Sequence, residues 1–217
     1  MDFQFDPQSH VYTVGSKVIP SCTRVLHLGG LADYGWIREE VLARKAELGT
    51  AVHSCTEYYD DNSLDWDSIA PRALPRLEAW MKFRREHNFT PTRREFQTIG
   101  VVNGRQFGMT VDAEGFLGKQ LVIVDIKTGP FQFWHKVQLA GYMAGLPLAD
   151  EQGTPLPPLA RFMSRHGYIL ELREDSTYRL KGPFHSREDY DAFASALFTT
   201  YYKLKHGSKM EPIKEAA

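Results

Sequence analysis

Two turn signals in the middle of the chain limit its fold more than any other feature. Asn103-Gly104 and Gly118-Lys119 separate three runs rich in β-branched and aromatic residues, 94–102, 106–117 and 121–128. Two-residue turns containing glycine join antiparallel neighbours, so three strands linked by two tight hairpins are predicted. Such turns also set register. The first places Glu95 opposite Asp112, and the second places Asp112 opposite Asp125. Side chains alternate with period two, which puts Lys127 on the face of Asp125 and sends Ile126 to the other.

Like charges directly opposed in a sheet are destabilising. Asp125 follows Leu121-Val122-Ile123-Val124, where an unpaired charge is costly to bury. Something positive should compensate. The strands alone leave two readings open: Lys127 bridging Asp112 or Asp125 in an ordinary sheet, or a hard divalent cation held by oxygen ligands. One bulge would carry Glu95 or Asp112 to the other face.

Around this centre the pattern is helical. Residues 10–14 and 17–20 read as a peripheral hairpin about Gly15-Ser16. Ser21 can cap a short helix to Leu28, stopped by Gly29-Gly30. A second helical pattern follows Asp33, with Trp36, Ile37, Val41 and Leu42 on one face, and Gly49 is expected to break or kink it. Helical spacing resumes over 50–59, where His53 and Glu57, four apart, share a face. Asp67-Ser68 can cap a helix toward His87, kinked at Pro75. After the strands come a helix over about 132–145 carrying Gln138 and Tyr142, a Pro-rich loop, a strand pair over 161–172 and 177–180, and a long helix capped by Ser186. The expected class is mixed α/β (α+β), one domain over 1–217: an N-terminal hairpin and helices (1–48), a core carrying the motifs (49–145), the loop (146–160), and C-terminal strands and helix (161–217).

Composition narrows the class of function. The chain has 217 residues and 42% hydrophobic content, enough for one well-filled core. Its 26 Lys+Arg and 27 Asp+Glu nearly cancel, so a polyanion would have to be met by a local patch. The start of the chain carries no basic, then apolar, leader and no long apolar run follows, so a cytoplasmic protein without a membrane span is expected. Two cysteines, Cys22 and Cys55, are too few for a four-thiolate zinc site or an iron–sulfur cluster.

Four motifs fall in one order: Gly49, His53 and Glu57; Gly108 and Asp112; Asp125, Lys127, Thr128 and Gly129; Gln138 and Tyr142. Together, over about 49–145, they resemble the PD-(D/E)XK nuclease superfamily, and most of all its RecB-like exonuclease branch, including stand-alone nucleases of phages and prophages. The resemblance implies a restriction-endonuclease-like core, a central mixed sheet flanked by helices in the order αβββαβ. It implies metal ligation by His53, Asp112, Asp125 and the backbone carbonyl of Ile126, with Glu57 and Glu95 as further candidates. Lys127 would be the catalytic lysine, and Gln138 with Tyr142 would help hold a DNA end beside the site. The Pro that names the superfamily is replaced by Val111, as is common in this branch.

The function so implied is Mg²⁺- or Mn²⁺-dependent hydrolysis of DNA phosphodiesters with one or two ions and no iron–sulfur cluster, as an exonuclease in recombination, repair or phage replication. The partner would be linear DNA, single- or double-stranded, with a recombination or single-strand-binding protein alongside. Candidate DNA contacts are Arg93, Arg94, Arg105, Lys119, Lys136 and the pair Arg84-Arg85, with Phe131, Phe133 and Trp134 as stacking surfaces. Two other classes stay open: a non-catalytic DNA-binding or assembly module of the same fold, and a metal-dependent hydrolase of another phosphate ester.

Overall fold

The computed structural model describes residues 2–33 and 38–207. Its centre is a five-stranded mixed sheet in the order β4-β5-β6-β7-β8, with strands Thr90–Val102, Arg105–Leu117, Gln120–Lys127, His166–Leu172 and Tyr178–Phe184. The first three form the antiparallel meander that the two turns require: Val102 pairs with Arg105, and Leu117 with Gln120. Asn103 (φ 49°), Gly104 (φ 74°) and Gly118 (φ 62°) take the left-handed backbone that such turns need. β7 then joins β6 in parallel, pairing Lys127 with Glu171 and Asp125 with Ile169. Its crossover runs through the helices α4 (Phe133–Gly145) and α5 (Pro158–Met163).

Each face of the sheet is covered. Helices α2 (Glu39–Asp60) and α3 (Leu74–His87) lie on one side, where Val52, Leu77, Trp80 and Phe83 pack on Val122, Val124, Ile126 and Leu170. On the other side α1 (Cys22–Leu28), α4, α5 and α6 (Arg187–Lys205) enclose Phe107, Met109, Val111, Ile123 and Ile169. Helix α4 is apolar nearly all round because it lies between the sheet and α6, and Gly141 lets the Phe193 ring approach its backbone.

Several sequence expectations change in the folded chain. Gly49 does not break its helix: it is buried mid-way along the continuous α2, where tertiary packing outweighs a weak local preference. Trp36 and Ile37 lie outside the described residues. α3 starts at Leu74 rather than at Asp67-Ser68, which form a 3₁₀ turn, and Pro75 sits in its first turn, where no amide bond is lost. Residues 161–163 belong to α5, not to a strand, because Arg161 turns inward to donate to the carbonyls of Gly145 and Val101. β8 runs on to Phe184, beyond its expected end at Leu180.

The N-terminal hairpin acquires a third strand and a structural task. β1 (Phe3–Asp6), β2 (Val11–Val14) and β3 (Lys17–Ile19) form a separate antiparallel sheet. It docks on β5: the Gly108 amide donates to Pro20 O at 2.9 Å, and Tyr12 Oη meets Thr110 Oγ1 at 2.8 Å. A Cβ at Gly108 would lie 2.0 Å from the Tyr12 ring, so only glycine permits this approach. We therefore expect Gly108→Val to cost about 1–3 kcal/mol through overpacking, read as a lower urea midpoint. An unchanged midpoint would mean that the small sheet does not pack there.

Candidate metal centre

The meander brings acids together by a device that flat alternation does not anticipate. Phe107, Met109 and Val111 face the α4 side, yet Ala113 packs with the α2 side, so β5 rolls over at Asp112. β4 is irregular at the matching point, where Glu95 has a left-handed backbone (φ 40°) between the pairs Arg94–Ala113 and Phe96–Val111. The β5–β6 ladder is regular from Leu117–Gln120 to Ala113–Val124 and stops there. Beyond it, Asp112 Oδ2 accepts the Ile126 amide at 2.6 Å, so a carboxylate takes the place of the next ladder carbonyl.

α2 supplies the remaining donor. His53 Nδ1 lies 2.7 Å from Glu95 Oε1 and 3.7 Å from Asp112 Oδ1, and one ligand atom from each of the three residues falls within 4.8 Å of the others. Asp125, 1% exposed, stands on β6 with Lys127 Nζ 2.9 Å from its Oδ2. Both residues face the same cleft, of about 370 Å³, as His53, Glu57, Glu95, Asp112, Gln138 and Tyr142. The Gln138 amide donates to Tyr142 Oη at 2.8 Å, which fixes the pair on α4 one turn apart.

Electrostatics mark the centre as under-compensated. Burial disfavours the His53 imidazolium, but the charges of Glu95 and Asp112 and the hydrogen bond to Glu95 outweigh it and push its pKa up to about 9. Burial raises Asp125 to about 6 despite Lys127, and raises Asp112 despite His53. Lys127 loses some basicity to burial and regains more from Asp125 and Asp112, so it stays charged. Both Asp125 oxygens are buried; the Lys127 ammonium stands against Oδ2, and among the described residues no group donates to Oδ1. Carboxylates that rich in unused lone pairs, beside one imidazole, could hold a metal ion.

Of the residues singled out in the sequence, His53, Glu57, Glu95, Asp112, Asp125, Lys127, Gln138 and Tyr142 converge on this cleft. Glu95 is drawn into the His53–Asp112 cluster, whereas Glu57 lines the cleft outside it. Ile126 holds Asp112 through its amide and buries its side chain on the α2 side. Arg93, Arg94, Arg105, Lys136 and Trp134 do not line the cleft. Their polar or aromatic ends are engaged elsewhere: Arg93 with Glu114 and the Phe96 ring, Arg94 with Asp61, Lys136 with Asp189, Arg105 over Phe198, and Trp134 edge-on to His135. Arg84 pairs with Asp60, and Phe131 stacks on Phe184. His10, Tyr12, Ser21 and Thr23 also line the cleft. Nothing in their local spacing announces this, because docking of the N-terminal sheet brings them there.

No family model matches the chain, and no curated protein does. Among solved structures it is similar to one titled "Crystal structure of SSO0001", with 16% identity over 77% of this chain and 87% of that one, at a TM-score of 0.37. A superposition that loose carries no argument about fold or function. No described helix is long and apolar enough to cross a membrane.

The two raised pKa values act in one direction. Stability contributed by His53 is complete below its free value of 6.5 and is lost as pH rises toward 9; that from Asp125 is complete below 3.8 and lost by about 6. A cation must displace the His53 proton to bind. In EDTA, the wild-type unfolding midpoint should thus fall between pH 6.5 and 9 by more than that of His53→Ala, and Mn²⁺ should raise the wild-type midpoint more at pH 9 than at pH 6. Equal increments at both pH values would remove His53 from the ligand set.

Proposed function

We propose that this chain is a metal-dependent deoxyribonuclease of the PD-(D/E)XK type, acting as an exonuclease on linear DNA. One observation carries the reading: a buried aspartate, with one oxygen paired to a lysine two residues on and the other met by no donor among the described residues, opens into the same cleft as a His–Glu–Asp cluster. A structural ion pair does not need that company. The mixed sheet supports it as well: α2 and α3 precede the meander β4-β5-β6, and α4 and α5 lead to the parallel β7.

In this reading His53, Asp112 and Asp125 hold Mg²⁺ or Mn²⁺; Glu95 lies in one cluster with His53 and Asp112, and Asp125 lines the same cleft outside that cluster. A bound divalent ion supplies Lewis acidity toward the phosphodiester and lowers the pKa of water. The chain does the rest. The Ile126 amide fixes one Asp112 oxygen and leaves the other turned toward His53. Lys127, kept charged by the acids, places an ammonium where negative charge grows on the phosphate oxygens. Gln138 and Tyr142 offer a neutral hydrogen-bonding wall, and burial keeps Tyr142 protonated.

Incubation with linear duplex, linear single-stranded and circular DNA, in Mg²⁺, Mn²⁺ or EDTA, tests the proposal. Linear DNA should be degraded with metal and spared with EDTA. Lys127→Ala should retain Mn²⁺ binding and lose cleavage by about 10²–10³-fold, the scale for removing one preorganised charge-stabilising group. Asp125→Ala should lose both. Cleavage by either variant at the wild-type rate would defeat the assignment, and no metal-dependent cleavage of any of the three substrates would favour a binding module.

A further inference from the structure

Outside the metal cleft, a second groove combines aromatic rings with positive charge. It is lined by Lys17, Val18 and Pro20 from the N-terminal sheet, Arg105 from β5, and the last turns of α6. Phe198, Tyr202 and His206 are spaced four residues apart on that helix, so they stand in file on one face, about 6 Å apart along the axis. Phe198 is 54% and Tyr202 58% exposed. The Arg105 guanidinium lies 4.8 Å from the Phe198 ring centre, Lys17 Nζ lies 5.7 Å from that of Tyr201, and Tyr202 and His206 are 4.5 Å apart. Lys205 adds a third cation, and none of the described lining residues carries a carboxylate.

The composition of this groove differs from the rest of the molecule. The whole chain has 27 acids to 26 bases, so three cations with no acid among the described lining residues are a local excess suited to a polyanion. Flat rings in file, left open to water, suit a ligand with flat apolar faces. Paired bases hide those faces inside a stack; unpaired bases present them. The groove also adjoins the metal cleft. Pro20 belongs to the groove while its neighbour Ser21 lines the cleft, and the Pro20 carbonyl is held by Gly108, which lines the cleft too.

We infer that this groove binds unpaired nucleic acid, with bases stacked on Phe198 and Tyr202 and phosphates beside Lys17, Arg105 and Lys205, and that it guides one strand over the Pro20–Gly108 rim to or from the metal cleft. The guidance rests on the nuclease reading; the binding does not. The two are separated by measuring anisotropy of a labelled oligothymidine with the full chain in EDTA, where no cleavage can occur. Phe198→Ala with Tyr202→Ala should weaken binding by about fivefold or more. Lys17→Glu should weaken it further and flatten its salt dependence. A strand of equal length without bases should bind more weakly than oligothymidine to wild type and equally to the double aromatic variant. Unchanged affinity in the aromatic variant overturns the inference. So does equal binding of the base-free strand or of polyglutamate, which would point to an acidic protein partner held by charge alone. If oligothymidine binds as described while no DNA is cleaved in Mn²⁺, the groove stands and the nuclease reading falls.

Discussion

Negative charge gathered where water hardly reaches is the constraint around which this molecule is arranged. Asp125 and Asp112 are both buried, Glu95 stands close by, and Lys127, His53 and the Ile126 amide offset them. Burial and a neighbouring carboxylate, Glu95 for Asp112 and Asp112 for Asp125, push both aspartates toward their neutral forms, and Glu95 and Asp112 draw a proton onto His53. A stably folded sheet has no use for such a cluster, since apolar residues would fill the space at lower cost. Its presence in the lining of a cleft is what the proposed metal-dependent reaction would require.

The sheet is built to tolerate this cluster. Where β5 rolls over at Asp112 and Glu95 turns left-handed, the ladder to β6 stops and the Ile126 amide is satisfied by a carboxylate instead of a carbonyl. Residues on either side of that point serve opposite faces: Val111 packs under α4, and Ala113 packs under α2. The irregularity thus lets side chains from both layers reach one place, with His53 arriving from α2 and Gln138 and Tyr142 from α4. Behind it, Glu171 on β7 accepts the Phe131 amide at 2.9 Å and pairs with Lys181. That contact ties the loop after Lys127 to the neighbouring strand.

Surface charge is spent more locally than composition suggests. Arg93, Arg94, Lys136 and Arg84 are each committed to a named carboxylate, which leaves the acid cleft without a rim of those cations. Positive charge without acidic company gathers instead along the end of α6 and the β3 edge. The N-terminal sheet is central to both places. Through Pro20, Gly108 and Tyr12 it forms a wall of the cleft on one side and of the aromatic groove on the other.

Turn chemistry and period-two spacing are local properties, and they made the meander, its register, the facing of Glu95 with Asp112 and the company of Asp125 with Lys127 readable from residue order. Helical spacing made His53 with Glu57 and Gln138 with Tyr142 readable in the same way, as did the Ser186 cap of α6. Local rules misled where long-range packing outweighs propensity, at Gly49 inside α2 and at Arg161 in α5. They were silent on the roll of β5, on the choice of Glu95 over Glu57 as neighbour of His53, and on the docking of the N-terminal sheet. Each of these depends on contacts between segments distant in the chain, whose free energy appears only when the faces meet and water leaves; no spacing within one segment encodes it.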